Sequence, residues 1–199
     1  DTGSFSDPIW SIQPAGLPAP DVLIPGKWTN LVVQSAHTVT MDTDVICDDF
    51  TIQGVVDGGG TTHTVYGDWL NSGTYTASSS TVLFRGTESP GQVVGGTSST
   101  QFHNLHVRNE FGAVSLNAPT EMTGVLLPMM GTITTNGNLT LISNSSLSGS
   151  IGEISTGAAV SGNVTLQRYI PPGNAGWVFL GCPITGHTIN SAWYDVIIT

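Results

Sequence analysis

Basic residues are nearly missing from this chain: four Lys and Arg stand against 14 Asp and Glu, giving a net charge of −10 over 199 residues. So few cations cannot neutralise a run of phosphates, which argues against nucleic acid and anionic membranes as partners. Charge of either sign is scarce as well, at 9% of residues. Disorder would demand high charge and few β-branched residues. Here Val, Ile, Leu and Thr alternate, so the chain is expected to fold, and as nearly all β. No apolar run approaches the roughly 20 residues of a membrane-spanning helix. An initiator Met and a signal peptide are also absent, and a chain beginning Asp1-Thr2-Gly3 is expected as a mature, processed form. Low Lys content, abundant Ser, Thr and Asn and a pI near 4.4 suit an extracellular protein.

What the chain does hold is glycine, 25 residues of it, set between short β-prone runs. From Thr51 to Gly73, Phe50-Thr51-Ile52, Val55-Val56 and Thr64-Val65-Tyr66 are each closed by Gly, Asn or Asp, residues that tolerate the positive φ of a corner. Such brevity favours three short strands per coil of a β-solenoid over hairpins. A corner glycine followed by a β-prone pair recurs at Gly54, Gly73, Gly112, Gly131 and Gly149, with steps of 19, 39, 19 and 18. Periods of about 20 residues mark stacked repeats that bury their faces against neighbours. The fold expected is an all-β parallel β-helix of about six or seven coils. Residues 1–30 form an extended N-terminal cap, 31–166 the solenoid, and 167–199 a C-terminal cap or the start of a following module.

The N-terminal segment is punctuated by Pro8, Pro14, Pro18, Pro20 and Pro25, which exclude a long helix or a central strand. Trp10, Ile12, Leu17 and Trp28 are expected to cover the open apolar end of the first coil, because a bare end invites aggregation. Inside the stack, Ile52, Val65, Leu83, Leu105, Leu126 and Leu141 are expected as inward rungs. Cys47 and Cys182 are then separated by about six coils of roughly 4.8 Å, or ~29 Å. A disulfide needs Cα atoms within about 7 Å, so no intrachain bond is expected. Cys47, in an apolar run, is read as a small buried hydrophobe and Cys182 as the more exposed thiol.

Candidate chemistry is sparse. Asp48-Asp49 is the one adjacent acid pair, and β-helical glycosidases use carboxylate pairs. Strand neighbours point to opposite faces, however, and no basic or His cluster follows at one-coil spacing, so no catalytic residue is assigned. Asp42, Asp44, Asp48 and Asp49 could supply oxygen ligands to Ca²⁺. They match no calcium-loop pattern and are read first as solvated corner acids, with no cofactor assigned and calcium kept as the alternative. His37, His63, His103, His106 and His187 show no metal spacing. The Thr-x-Thr triplets at 38, 62, 74 and 132 would form an ice-binding ladder if aligned, but their separations fit no single period. Asn138, Asn144 and Asn163 match the weak Asn-glycosylation pattern. Trp10, Trp28 and Trp69 are the candidate ligand-contact aromatics should the chain bind glycans.

Three segments carry a resemblance. Asp21-Val22-Leu23-Ile24-Pro25-Gly26 is followed by His37-Thr38-Val39-Thr40 and Cys47-Asp48-Asp49-Phe50-Thr51-Ile52-Gln53-Gly54. Thr81 to Gly86 pairs with Phe102 to Val107, and Arg168-Tyr169-Ile170 leads to Trp177 through Gly186. In this order, over about residues 10 to 190, they resemble the β-helical repeat regions of large secreted surface proteins of Bacteroidota. That resemblance implies export by the type IX system and a role as an adhesin or surface structure without assigned activity. The family's C-terminal sorting domain is missing and the chain stops soon after the closing motif, so a fragment or a processed subunit is expected. The function expected is a non-catalytic structural or adhesive segment at the cell surface. Partners would be other surface proteins, further copies of the chain in an extracellular fibre, or glycans.

Overall fold

The computed structural model describes residues 2–6, 25–86 and 91–172, and among these there is no helix. Short parallel strands wind into a three-walled β-solenoid. The first wall stacks Leu31–Val33, Phe50–Ile52, Trp69–Asn71, Gly91–Gly95, residues 113–116 and 131–134, and Ala158–Ser161. The third wall stacks Val45–Cys47, Thr62–Val65, Thr81–Phe84, residues 104–107 and 125–128, and Ser150–Ile151. The second wall stacks Thr2–Ser4, Thr38–Thr40, Val55–Asp57 and Thr74–Thr76, then continues as a separate sheet of Thr100–Phe102, Thr120–Met122, Leu139–Leu141 and Val164–Leu166. About five turns carry a full strand on every wall. In the next, the third strand shrinks to Ser150–Ile151.

The period is real but varies. Leu31, Phe50 and Trp69 lie one over another at 19-residue steps. Trp69 to Val94 takes 25, because the corner before Gly91 is longer. Most of the recurring glycines prove to mark different corners. Gly54 and Gly73 stack where the first wall meets the second, Gly112 and Gly131 where the third returns to the first, and Gly149 lies between second and third. Each turn has three corners, all of them tolerant of glycine, so steps near the period arise by crossing from one corner to another. At Gly73 the close approach is literal: a Cβ would strike the Gly54 carbonyl oxygen below, which accepts the Thr74 N–H at 2.9 Å.

Burial follows the two-residue alternation of strands. On the third wall, Val45, His63, Val82, Leu105 and Leu126 form one inward column, and Cys47, Val65, Phe84 and Val107 the other. Ile52, Val65, Leu105, Leu126 and Leu141 are buried as expected. Leu83 is not. It is half-buried and faces outward in a column with Thr64, His106 and Leu127. Three apolar residues in a row, Val82, Leu83 and Phe84, hide the phase of a strand; Phe84 over Val65 fixes it.

The second wall has a seam. Below it the middle residue of each strand points inward: Val39, Val56 and Tyr75. Above it the flanking residues do: Thr100 and Phe102, Thr120 and Met122, Leu139 and Leu141. No strand pairing joins Thr74–Thr76 to Thr100–Phe102 among the described residues. Asn71 bridges the gap instead, its buried amide donating to the Ser99 carbonyl at 3.0 Å and to Thr100 Oγ1 at 3.2 Å.

Within the stretch expected to be an extended cap, Thr2–Ser4 forms a rung on the second wall against Thr38–Thr40, and Phe5 is buried in the core. Trp28 does not cover the apolar end: it is 71% exposed. Trp10, Ile12 and Leu17 lie outside the described residues, as does Cys182. Contacts set one compact unit, Asp1–Tyr169, apart from Ile170–Thr199.

Candidate functional site: the corner between the third and first walls

Positions 28, 47, 66 and 85 step by 19 residues, one turn each, where the third wall gives way to the first. Backbone bonds keep them in file: the Asp48 N–H donates to the Thr29 carbonyl (2.9 Å), Tyr66 to Cys47 (3.0 Å) and Arg85 to Val65 (2.9 Å). Cys47 still belongs to the strand and points inward. Trp28, Tyr66 and Arg85 lie on the outer surface. The Lys27 ammonium lies 4.4 Å from the Trp28 ring centroid and 5.2 Å from that of Tyr66, while the Arg85 guanidinium is 6.0 Å from the Tyr66 ring. Cations favour aromatic faces because the ring quadrupole is negative there. Arg108 stands one turn beyond Arg85, paired with Glu110 at 3.4 Å. Phe111 (60% exposed) and Met129 (37%) extend the same edge. This one corner thus holds three of the chain's four basic residues.

Asn and Asp side chains hold the corner together. Asn30 Oδ1 accepts the Asp49 N–H at 3.3 Å, Asp49 Oδ1 the Asp68 N–H at 2.8 Å, and Asp68 Oδ1 the Val93 N–H at 2.8 Å. Each side chain satisfies a donor on the next turn that the ladder leaves open. Burial, aided by the charges of Asp49 and Asp48, raises the Asp68 carboxyl above its ordinary value, against the Val93 N–H that lowers it. Gly67 fits beside Tyr66 because a Cβ there would collide with the Asp49 and Asp48 carboxylates. The adjacent pair Asp48-Asp49 therefore occupies a corner, where neither side chain is forced into the core. Elsewhere Asp44 Oδ1 accepts the Thr62 N–H at 2.8 Å and Asp42 takes the Ser6 N–H at 3.0 Å and its hydroxyl. The Ser6 hydroxyl is the main reason the Asp42 carboxyl is lowered. Among the described residues no three His, Cys, Asp or Glu side chains converge as metal ligands.

A second polar group lies inside the stack. His63 Nε2 is 3.0 Å from Thr61 Oγ1 and its Nδ1 is 3.4 Å from the Tyr75 hydroxyl, which is 2.8 Å from Ser80 Oγ. Ser80 donates in turn to the Ala77 carbonyl at 2.7 Å. Burial holds the His63 imidazole down at about 4 and pushes the Tyr75 phenol up. All three side chains are buried, so this is an internal network that lets a histidine sit in an aliphatic column without an unpaired ring nitrogen. Gln92, also buried, ties turns together in the same way: its amide donates to the Val65 and Gly67 carbonyls (3.0 and 2.7 Å) and its oxygen accepts from Asn109 at 3.3 Å.

Of the two described aromatics expected to contact a ligand, Trp28 is placed to do so and Trp69 is not. Trp69 is fully buried between Phe50, Tyr75 and Phe102, with ring centroids at 4.8, 4.8 and 5.3 Å. Its strand position over Phe50 points it inward, which overturns its assignment as a contact residue. Trp10 lies outside the described residues. Tyr66 and Arg85 were not among the expected residues, although the 19-residue step from Trp28 singles them out once the period is assigned to one corner. Among the Thr-x-Thr triplets, Thr38–Thr40 and Thr74–Thr76 share the second wall with Val55–Asp57 between them; the other two lie on other walls. No family model matches this chain, and no curated protein or solved structure does either.

Proposed function

We propose that the chain is a non-catalytic structural and adhesive segment of an exported cell-surface protein. The solenoid serves as a stiff rod, and the corner between its third and first walls serves as the contact surface. The observation that carries this reading is the concentration there of Trp28, Tyr66, Lys27, Arg85 and Arg108 in a chain with only four basic residues. Amphipathic aromatics and guanidinium groups are the side chains most enriched where proteins meet partners. Side-chain to backbone bonds at successive corners, from Asn30 through Asp68, hold that surface on a fixed backbone, which lowers the entropic cost of contact. The test is localisation. Antibodies raised against residues 25–172 should label intact source cells, and the epitope should vanish on protease shaving. Labelling that appears only after lysis would overturn the proposal.

A further inference from the structure

We infer that the corner around Trp28 and Tyr66 is a binding site for a neutral saccharide chain. The inference rests on the adhesive reading, whose contact surface it identifies. Both rings lie within reach of one ammonium, so their centroids are within about 10 Å of each other. Two turns of the solenoid give the same separation, roughly 9.6 Å. That is the run of a disaccharide, so one pyranose can lie on Trp28 while a following one lies on Tyr66. A pyranose offers an apolar C–H face to stack on an aromatic ring and a rim of hydroxyls that need both donors and acceptors. The corner has both: Lys27 and Arg85 donate, and the carboxylates of Asp48 and Asp49 accept.

Other occupants fit less well. A peptide added as a strand needs an open sheet edge, whereas Thr62–Val65, Phe50–Ile52 and Trp69–Asn71 are paired on both sides. Of the four strands flanking this corner only Val45–Cys47 ends its wall among the described residues, so a strand added there would extend that edge rather than lie across both rings. Polyphosphate chains are repelled by the net charge of −10. Asp48, Asp49 and Asp68 share the corner with Lys27 and Arg85, so the local charge favours a neutral saccharide over a uronic acid polymer. The Lys27 side chain is long and flexible, and it can leave the Trp28 face to meet a hydroxyl at little cost.

The test is a fluorescence and calorimetric titration of the full chain with tetrasaccharides of β-linked glucose, mannose and N-acetylglucosamine, and with tetragalacturonate. At least one neutral tetrasaccharide should bind saturably and shift tryptophan emission. Trp28→Ala and Tyr66→Ala should each weaken it by about tenfold or more, since each removes a stacking face. Tyr169→Ala, an exposed aromatic elsewhere on the unit, should leave it unchanged. Because Trp28 is a surface residue, Trp28→Ala should keep the wild-type circular dichroism and melting temperature, which shows that lost binding is not lost folding. No binding by any neutral tetrasaccharide, binding indifferent to both substitutions, or tighter binding of tetragalacturonate would each overturn the inference. Surface labelling of intact cells does not depend on any of these outcomes, so failure here leaves the adhesive reading to its own test.

Discussion

His63 should make this protein acid-sensitive, by an amount that can be calculated. It occupies the inward column between Val45 and Val82, fully buried, with Thr61 and Tyr75 at its two nitrogens. Burial lowers its pKa from 6.5 to about 4, and the Gly58 backbone and nearby Asp44 offset only part of this. In the unfolded chain the imidazole takes up a proton near 6.5; in the folded chain it does so only near 4. Between those values the unfolded state binds more protons, so stability falls as pH falls. No contribution is lost above about pH 7, and about 3 kcal/mol is lost by about pH 4, at about 1.4 kcal/mol per pH unit. That is a large share of the 5–15 kcal/mol typical of a domain. Urea unfolding of the wild type and His63→Gln, followed at about pH 7 and about pH 4, isolates the effect. Asp42 and Asp57, whose carboxyls are lowered by hydrogen bonds, lose their contribution in both proteins and cancel. The wild type should lose about 3 kcal/mol more than the variant over that interval. Parallel losses would mean that His63 is not held neutral in the core, and the column that contains it would be misplaced.

Further outcomes are expected. Leu105→Ala should cost about 2–5 kcal/mol by leaving a cavity in the inward column, whereas Leu83→Ala should stay within about 1 kcal/mol by denaturant titration; equal costs would refute the register. Cys47, whose thiol is pushed up to about 12 chiefly by burial, should resist alkylation at neutral pH until the protein is unfolded; rapid labelling of its tryptic peptide from native protein would contradict that. Asp68→Asn keeps an oxygen for the Val93 N–H and removes repulsion from Asp49, so it should melt at or above the wild-type temperature. Asp68→Ala should cost about 1 kcal/mol, and a loss as large in Asp68→Asn would argue against the corner bond.

The solenoid could be read from the sequence because short β-prone runs closed by Gly, Asn and Asp at near-19-residue spacing have few other solutions. Phase was harder. Val82, Leu83 and Phe84 are all apolar, and only the neighbouring turn decides which of them faces in. The glycine recurrence suggested the right period through partly wrong correspondences, since Gly73 and Gly112 belong to different corners. The candidate site was half legible. Trp28 stood out as an aromatic, but Trp69 is equally conspicuous in the sequence and lies in the core. Tyr66 and Arg85 join Trp28 only through stacking, a relation between turns that no local window contains.

The seam in the second wall has a mechanical meaning. Among the five full turns, force along the rod otherwise passes between turns through hydrogen-bonded ladders on all three walls, but between Thr74–Thr76 and Thr100–Phe102 it passes through two. There the load on the second wall falls to the Asn71 amide, the Ser98 N–H bond to the Asn71 carbonyl at 3.0 Å, and ring contacts of Phe102 with Trp69 and Tyr75. Such a rod behaves as two springs joined by a fuse. Under tension it should part first at this level, into a lower block ending near Phe84 and an upper block beginning near Gly91, and the lower block would keep Trp28, Tyr66 and Lys27 together on its surface.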